Sequence, residues 1–370
     1  MSGTSLDGVD AVLCAIDSNG KVTLKESFSA PFDKTLRQAL FDLQKSGPDE
    51  IHRENMAANQ LALAYAKATQ QVLEFSGKKA DEIKAIGAHG QTIRHRPDLV
   101  ADQRYSHQTI NAALLAETVG IDVIADFRAR DLAAGGQGAP LVPSFHAQQF
   151  ASANENRVVL NLGGIANLTF LPKNIKANNL NIVGLDCGPG NVLMDAWITL
   201  HRQLDFDSDG QWASSGKPQA DLLESMLSEP YFQLPAPKST GRDLFNLNWI
   251  EKHLEGKDYA AEDVQASLLQ LTLDTILNEI QKLAPDIDRL IVCGGGSKNI
   301  TLMQLLQIKA KTRFPKIHVT TSATEGIDPQ LVESLAFAWL AWAHLAKRPA
   351  NLPAVTGAKG SRILGAHYPR

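Results

Sequence analysis

Two loops of small residues, each leading directly into a strand, constrain the fold of this chain most strongly. The first, Ser2–Gly8, precedes an apolar strand predicted over Val9–Ile16. The second, Gly163-Gly164, separates strands predicted over Arg157–Leu162 and Ile165–Phe170 and begins 160 positions after Gly3. Such loops let backbone N–H groups approach a ligand closely, most often a phosphate, although a polar chain terminus has a similar composition. The repeated pattern predicts an α/β fold built from two similar lobes.

The segments between these loops carry ordinary signals of secondary structure. Asn19-Gly20 separates Val9–Ile16 from a strand predicted over Val22–Phe28, which is typical of a β-hairpin. Helical periodicity covers Glu50–Phe75, and one side of that helix is predicted to carry Ile51, Met56, Leu61, Leu63 and Val72. A length of 370 residues predicts about two domains. We expect one lobe to comprise residues 1–142 with 346–370, and the other residues 143–345.

Composition excludes several classes of partner. A net charge of −4 gives no reason to expect nucleic acid or an anionic membrane as a partner. No apolar stretch reaches the roughly 18 residues of a membrane span. Three widely spaced cysteines, Cys14, Cys187 and Cys293, indicate neither a disulfide framework nor a zinc knuckle. We therefore expect a cytoplasmic protein.

The glycine-rich turns match neither common nucleotide motif. A third turn, Gly294-Gly295-Gly296-Ser297, follows a predicted strand as the other two adjoin theirs. None fits a Walker A loop or a dinucleotide-binding fingerprint. Each turn alone is typical of an ordinary structural turn, but together they suit two lobes that hold a nucleotide between them.

Several polar side chains are candidates for chemistry, and each has a structural alternative. Asp186 follows an apolar strand, where open α/β sheets bind ligands, but it could equally cap the next helix. The segment 205–212 has aspartates at calcium-loop spacing, yet Gly216 stands where a bidentate Glu is required, so a solvated turn capping a helix near Pro218 is favoured. Arg128 could clamp a carboxylate or phosphate, or pair with a neighbouring aspartate. The sparse histidines His89, His95 and His107 favour structural roles.

The longer motifs together resemble one family, the anhydro-N-acetylmuramic acid kinases. The matching segments run from the first residue to about residue 345: MSGTSLDGVD, GAHGQTIRHRP, DFRARDLAAGGQGAPLVP, LNLGGIANLT, GLDCGPGNVLMDAW, STGRDLFN, CGGGSKN and EGIDPQLVESLAFAWLA. The resemblance implies an actin-like ATPase fold, ribonuclease H-like in each of two duplicated lobes, with ATP and a sugar in the cleft between them.

The same resemblance implies the reaction and its residues. ATP and water would convert 1,6-anhydro-N-acetylmuramic acid into N-acetylmuramic acid 6-phosphate, with Mg²⁺ required because the transferred phosphoryl group is highly charged. Asp186 matches the catalytic aspartate, and Glu333 is a second catalytic candidate. Arg128, His89 and Gly188 are expected to bind the amino sugar. The residues expected to bind ATP are Gly3, Thr4, Ser5, Leu6, Asp7, Gly8, Val9, Asp10, Gly163, Gly164, Asn167, Gly294, Gly295 and Gly296. No metal-ligating residue is assigned.

Three further expectations follow from the resemblance. Family members usually carry a short strand before the Met-Ser-Gly-Thr-Ser loop, whereas the printed sequence starts at Met1, so we expect Val9–Ile16 to lack a neighbour and the loop to lack an anchor. A homodimer is implied. Alternative functions on the same fold are a kinase acting on a different sugar or carboxylic acid and an ATP-gated regulator or chaperone.

Overall fold

The computed structural model describes residues 1–3, 6–100, 102–175 and 181–370. Its strands are β1 (Gly8–Ile16), β2 (Val22–Pro31), β3 (Ile86–Gly87), β4 (Gln91–Arg96), β5 (Tyr105–Thr109), β6 (Val123–Ala125), β7 (Arg157–Leu162), β8 (Ile165–Leu171), β9 (Val183–Pro189), β10 (Arg289–Cys293), β11 (His318–Thr321) and β12 (Ala366–Tyr368). Its helices are α1 (Lys34–Asp42), α2 (Glu50–Ser76), α3 (Ala112–Val119), α4 (Ala129–Ala133), α5 (Val142–Phe150), α6 (Val192–Arg202), α7 (Gln211–Ser215), α8 (Ala220–Leu227), α9 (Leu247–Leu254), α10 (Ala261–Leu283), α11 (Ile300–Arg313), α12 (Val332–Leu345) and α13 (Pro353–Thr356).

The chain divides into two compact units, each with strands and helices, so the predicted α/β class is confirmed. Unit 1 comprises Met1–Gln149 and Leu331–Arg370, and unit 2 comprises Phe150–Gln330. These bounds differ from the expected 142/143 and 345/346 in one main respect. Helix α12 groups with unit 1, because it packs against β1 and β3.

Unit 1 contains three small sheets. The β1–β2 hairpin is antiparallel, and its turn follows the Asn19-Gly20 prediction, with Gly20 at φ +88°. Strands β12, β6 and β3 form a second sheet, and β4 pairs with β5 in a third. Strands β5 and β6, which precede and follow α3, therefore belong to different sheets.

Helix α2 matches its predicted range, but its apolar face is only partly as expected. Leu61 and Val72 are buried against the hairpin, whereas Ile51, Met56 and Leu63 are exposed. The buried stripe is completed by small residues and Tyr65, which hydropathy alone does not emphasise. The prediction for Ile51, Met56 and Leu63 was wrong, since these residues are 82%, 49% and 51% exposed.

Strand β1 has one paired edge. It pairs with β2, and over the residues that the structure describes no strand pairs with its other edge. A cavity of about 1090 Å³ lies there, lined by residues of β1, α2, α12 and the segment 82–87.

Unit 2 is built on one five-stranded mixed sheet of order β11-β10-β7-β8-β9. Strands β11, β10 and β7 are parallel, while β8 runs antiparallel to both β7 and β9. The long helix α10 packs against β8 and β9 and contributes Leu268, Leu273 and Ile276 to the core. Because β7, β8 and β10 are mostly apolar, any polar side chain at the sheet's end stands out as a candidate for function.

Side-chain caps fix where several helices begin. Asp33 accepts the Leu36 N–H at the start of α1, Asn111 accepts the Leu114 N–H at the start of α3, and Asn299 accepts the Leu302 N–H at the start of α11. Each cap satisfies one N–H that the helix itself leaves without an acceptor. Among the described residues, no helix is long and apolar enough to cross a membrane.

Candidate functional site

Three turns of unit 2 lie close together although they are far apart in the sequence. Gly163 and Gly164 join β7 to β8, and the carbonyl of Gly164 accepts the Gly190 N–H of the turn after β9 at 2.8 Å. At Gly294, after β10, an added Cβ would stand 2.3 Å from Oδ1 of Asn161 on β7. A Cβ at Gly190 would likewise stand 2.3 Å from the Gly163 carbonyl oxygen, so glycine at Gly190 and Gly294 permits a backbone approach that a side chain would block.

The turn after β10 is open on one side and packed on the other. Gly294 has φ +84°, and a Cβ at Gly296 would contact Leu162 at 2.8 Å. A Cβ at Gly295 would meet no atom within 4 Å. Gly295 therefore borders open space, and its expected role in holding adenosine stays a prediction.

A row of polar side chains crosses the edge of the sheet beside these turns. Asn161 of β7 pairs with Asn167 of β8, and Asn167 pairs in turn with Asp186 of β9. Directly paired residues on neighbouring strands present their side chains on the same face, about 5 Å apart. Asn167 and Asp186 are thus brought together, as expected of residues serving one site.

Asp186 lies slightly deeper in its strand than predicted. Strand β9 continues to Pro189 and helix α6 begins only at Val192, because Gly188 and Gly190 extend the strand before the helix starts. Gly188 has φ +149°, and a Cβ there would stand 2.7 Å from the ring of Phe232. Gly188 is buried under that ring, so its backbone alone is available to a ligand.

The carboxylate of Asp186 has an environment unlike that of a helix cap. Its Oδ2 accepts the Thr240 N–H at 3.0 Å, a donor on a different segment from α6. Burial raises the pKa of Asp186 from 3.8 to about 6, although the Thr240 N–H acts to lower it. Desolvation thus outweighs the hydrogen bond, and the side chain becomes a proton acceptor suited to neutral pH.

In unit 1 the N-terminal loop is anchored by buried hydrogen bonds. The Ser2 hydroxyl lies 3.0 Å from the Tyr65 hydroxyl and donates to the Gly90 carbonyl, while Gln91 Nε2 donates to the Gly3 carbonyl at 3.0 Å. At Gly8 an added Cβ would stand 2.1 Å from the carbonyl oxygen of Ala30 on β2.

The rest of the loop packs against β1 and β2. Leu6 is buried with φ +60°, the Asp7 carbonyl accepts the Phe32 N–H, and Val9 enters the core. Asp10 exchanges backbone hydrogen bonds with Met1 and accepts the Ser29 hydroxyl. Two residues expected to bind ATP, Thr4 and Ser5, lie outside the described residues.

His89 and Arg128 form one connected pair beside this loop. Nη2 of Arg128 lies 2.9 Å from Nε2 of His89, and Nδ1 of His89 lies 3.3 Å from the Ser2 carbonyl. A guanidinium can only donate, so Nε2 accepts and the imidazole is neutral with its proton on Nδ1. Burial and the Arg128 charge hold the pKa of His89 well below its usual range, which agrees with that tautomer.

Arg128 forms no salt bridge with its neighbouring aspartates, although such a pair was the structural alternative for this residue. It donates to the Gly138 carbonyl at 2.9 Å, while Asp131 uses its oxygens for the Gly138 N–H, Asn351 and Thr356. Its buried Nε has no hydrogen-bond partner among the described residues. Burial lowers the pKa of Arg128 to about 10 against the raising effect of Glu333 and Asp131. Arg128 is therefore fixed in place with a donor to spare for an anionic ligand.

Glu333 lies in the first turn of α12, within electrostatic reach of Arg128 and of the Met1 ammonium group. Unit 1 therefore brings together Gly3, Leu6–Asp10, His89, Arg128 and Glu333. Unit 2 separately brings together Gly163, Gly164, Asn167, Asp186, Gly188 and Gly294–Gly296.

The sequence of this chain matches the family model described as anhydro-N-acetylmuramic acid kinase over residues 1–370. It is 50% identical over 379 residues to the anhydro-N-acetylmuramic acid kinase of Burkholderia pseudomallei strain K96243, covering 100% of this chain and 96% of the relative. It is 49% identical over 370 residues to the protein of that name from Nitrosomonas europaea, covering 100% and 98%. The chain belongs to this family.

Two solved structures show a weaker likeness. They are the Acidaminococcus fermentans (R)-2-hydroxyglutaryl-CoA dehydratase component A, with 11% identity, TM-score 0.45 and coverage of 91% and 99%, and a Streptomyces griseus ROK family glucokinase, with 14% identity, TM-score 0.37 and coverage of 90% and 97%. Likenesses of this degree add nothing to what the full-length family match shows.

The remaining sequence candidates have structural roles. Asp207 is buried and its carboxylate accepts the Trp212 and Ala213 N–H groups, so it caps α7 rather than the helix near Pro218, and the expected solvated turn was wrong on that point. His95 bonds to Ser106 and His107 to Glu54. Among the described residues, no group of three or more His, Cys, Asp or Glu side chains could hold a metal ion.

Residue-level reasoning missed the segment 231–240, which shapes the surroundings of Asp186. Thr240 lies in the quoted segment STGRDLFN, so the family motif was a signal for it. Lys238 and Tyr231, by contrast, lie in no motif, and their contacts with β9 depend on the folded chain.

Proposed function

We propose that this member of the anhydro-N-acetylmuramic acid kinase family uses ATP and water to convert 1,6-anhydro-N-acetylmuramic acid into N-acetylmuramic acid 6-phosphate. One observation carries the proposal for the chemistry. Asp186 is a desolvated carboxylate with a pKa of about 6, in the same polar row as Asn167 and beside three glycine-rich turns. Catalysis by a general base requires such a group, with a pKa close to the working pH.

The reaction requires a single carboxylate for proton abstraction. Asp186 takes a proton from water as the water oxygen attacks C1, and the bond from C1 to O6 breaks. O6 then attacks the γ-phosphorus of ATP, and ADP leaves. Glycoside hydrolysis usually needs a second carboxyl group to protonate the leaving oxygen, but here phosphorylation captures that oxygen. Attack opposite the bridge gives inversion at C1.

The other candidate residues bind the sugar and ATP and orient the attacking water. Arg128, held by the Gly138 carbonyl and His89, uses its spare Nε–H to bind the acidic group of the sugar. Glu333 orients the attacking water. The N–H groups of Gly163, Gly164 and the loop Gly3–Asp10 bind phosphate oxygens, and Gly294–Gly296 hold adenosine. Mg²⁺ bound with ATP would neutralise charge on the transferred phosphoryl group.

The experiment follows the product formed from Mg-ATP and the anhydro sugar in ¹⁸O-labelled water. We expect the mass of N-acetylmuramic acid 6-phosphate with the label on O1. Asp186→Asn should retain ATP binding and lose roughly 10²–10⁴ of the rate. Label found at O6 or on phosphate, or near-normal turnover by Asp186→Asn, would contradict the mechanism. Free N-acetylmuramic acid and other sugars tested in parallel distinguish this substrate from the alternative of a kinase for another sugar or carboxylic acid.

We also propose that the protein acts in the cytoplasm as a homodimer, in keeping with the expectation from the family. Size-exclusion chromatography with light scattering measures the oligomeric state directly. A monomer at assay concentration would contradict the dimer without affecting the assignment of the reaction.

A further inference from the structure

A buried ion pair lies under the segment that contacts Asp186. Nζ of Lys238 is 3.0 Å from Oε1 of Glu279 on α10, and the two side chains are 3% and 5% exposed. Lys282, one turn along α10, also donates to Glu279 at 2.8 Å, but its side chain is 49% exposed. The buried pair therefore ties segment 231–240 to the most buried helix of unit 2.

Three groups of this segment form hydrogen bonds with Asp186, and their positions depend on where Lys238 lies. The Asp186 N–H donates to the Lys238 carbonyl at 3.1 Å, and two residues later the Thr240 N–H donates to Oδ2 of Asp186 at 3.0 Å. The Tyr231 hydroxyl donates to the Asp186 carbonyl at 2.7 Å. Nζ of Lys238 reaches the Tyr231 carbonyl at 3.3 Å and lies 4.9 Å from the centre of its ring.

A buried ion pair is a costly way to join two segments. Removing two charges from water offsets most of their attraction, so a well-packed apolar pair would stabilise the fold about as well. An ion pair with defined hydrogen bonds does fix geometry more narrowly than apolar contact. The feature that this geometry fixes is the position of the Thr240 N–H relative to Asp186.

We propose that Lys238 and Glu279 are positioning residues for Asp186. They hold segment 231–240 so that the Thr240 N–H stays on Oδ2, which keeps the carboxylate oriented and ionised at neutral pH. The inference rests on the proposed function, because it assigns these residues a part in proton abstraction by Asp186.

The charged and titratable groups around Asp186 allow positioning to be separated from simple electrostatics. They are Cys187 beside it on β9, Tyr231 and Lys238 on the facing segment, and Glu279 on α10. If charge alone acted, removing the negative Glu279 would lower the pKa of Asp186. If positioning acts, losing Glu279 loosens Thr240 and raises that pKa, since its N–H favours the ionised form. The two explanations predict opposite signs for the same variant.

The experiment measures kcat against pH for Glu279→Gln and Lys238→Met. We expect the acidic limb of the profile to move upward by about one pH unit in both variants, with KM for ATP unchanged. A shift of that size corresponds to the usual free energy of a hydrogen bond to a charged group. Lys257→Met is the matched control. Lys257 pairs with the exposed Asp221 away from segment 231–240, and this variant should not move the limb.

Each outcome bears on a separate claim. A downward shift in Glu279→Gln, or unshifted limbs in both variants, would overturn the positioning role. If Lys238→Met does not fold, Glu279→Gln still decides the question, because it keeps the size of the side chain and replaces the charge-assisted bond to Lys238 by a weaker neutral one. A wild-type profile without an acidic limb would instead contradict the proposed role of Asp186 itself.

Discussion

Replacing Asp186 by Asn is expected to stabilise the folded chain, and to do so more at pH 8 than at pH 5. Folding raises the pKa of this carboxyl from 3.8 to about 6, so the folded state holds the ionised form less favourably than the unfolded state does. The cost is present in full above the folded pKa and disappears below the unfolded one. At about 1.4 kcal/mol per pKa unit, it amounts to about 3 kcal/mol at pH 8 and about half of that at pH 5.

The substitution isolates this charge because the amide keeps the local contact. The side-chain oxygen of Asn can still accept the Thr240 N–H, and the volume of the side chain is almost unchanged. Partial exposure of Asp186 to solvent makes 3 kcal/mol an upper figure, and a gain of about 1–3 kcal/mol is expected at pH 8.

Thermal unfolding of wild type and variant at both pH values is the assay. Asp33→Asn is the matched control, because Asp33 caps α1 through an oxygen that Asn also supplies, so its change should be near zero. A variant less stable than wild type at pH 8 would refute the reasoning. It would mean that the ionised carboxylate stabilises the fold as a structural cap does, and that its desolvation does not lower the free energy of unfolding.

Three other predictions are open to direct measurement. For wild type, kcat should fall about tenfold per pH unit below pH 6, because Asp186 must be ionised to accept a proton; a flat profile down to pH 5 would exclude it as the base. Gly8→Ala should lower the thermal midpoint markedly, since its Cβ would stand 2.1 Å from the Ala30 carbonyl, whereas Gly241→Ala, with no atom within 4 Å, should not; equal midpoints would contradict the described loop. Arg128→Lys should raise KM for the anhydro sugar roughly 10-fold or more and leave KM for ATP unchanged, because the donors of an ammonium radiate from a single nitrogen and cannot reach Gly138, His89 and the sugar from separate positions as a guanidinium can; an unchanged sugar KM would remove Arg128 from the binding site.

Local sequence signals were enough to predict the elements that depend on near neighbours. The Asn19-Gly20 hairpin, helix α2 and strands β7 and β8 lie close to their predicted ranges, because turn chemistry and apolar periodicity act over a few residues. The glycine-rich turns were visible for the same reason. The long motifs also identified the family, which the full-length match confirmed.

Tertiary structure alone decided which signals belong to one site. Periodicity could not show that Met56 and Leu63 face outward, because the helix has apolar residues on more than one side. Spacing could not join Asp186 to Thr240, or Lys238 to Glu279, since those contacts bridge 54 and 41 positions and form only when the segment 231–240 packs on β9 and α10. The raised pKa of Asp186 arises from the same packing. The sequence determined that a carboxylate follows an apolar strand, and folding determined that burial outweighs its hydrogen bond and makes it a base.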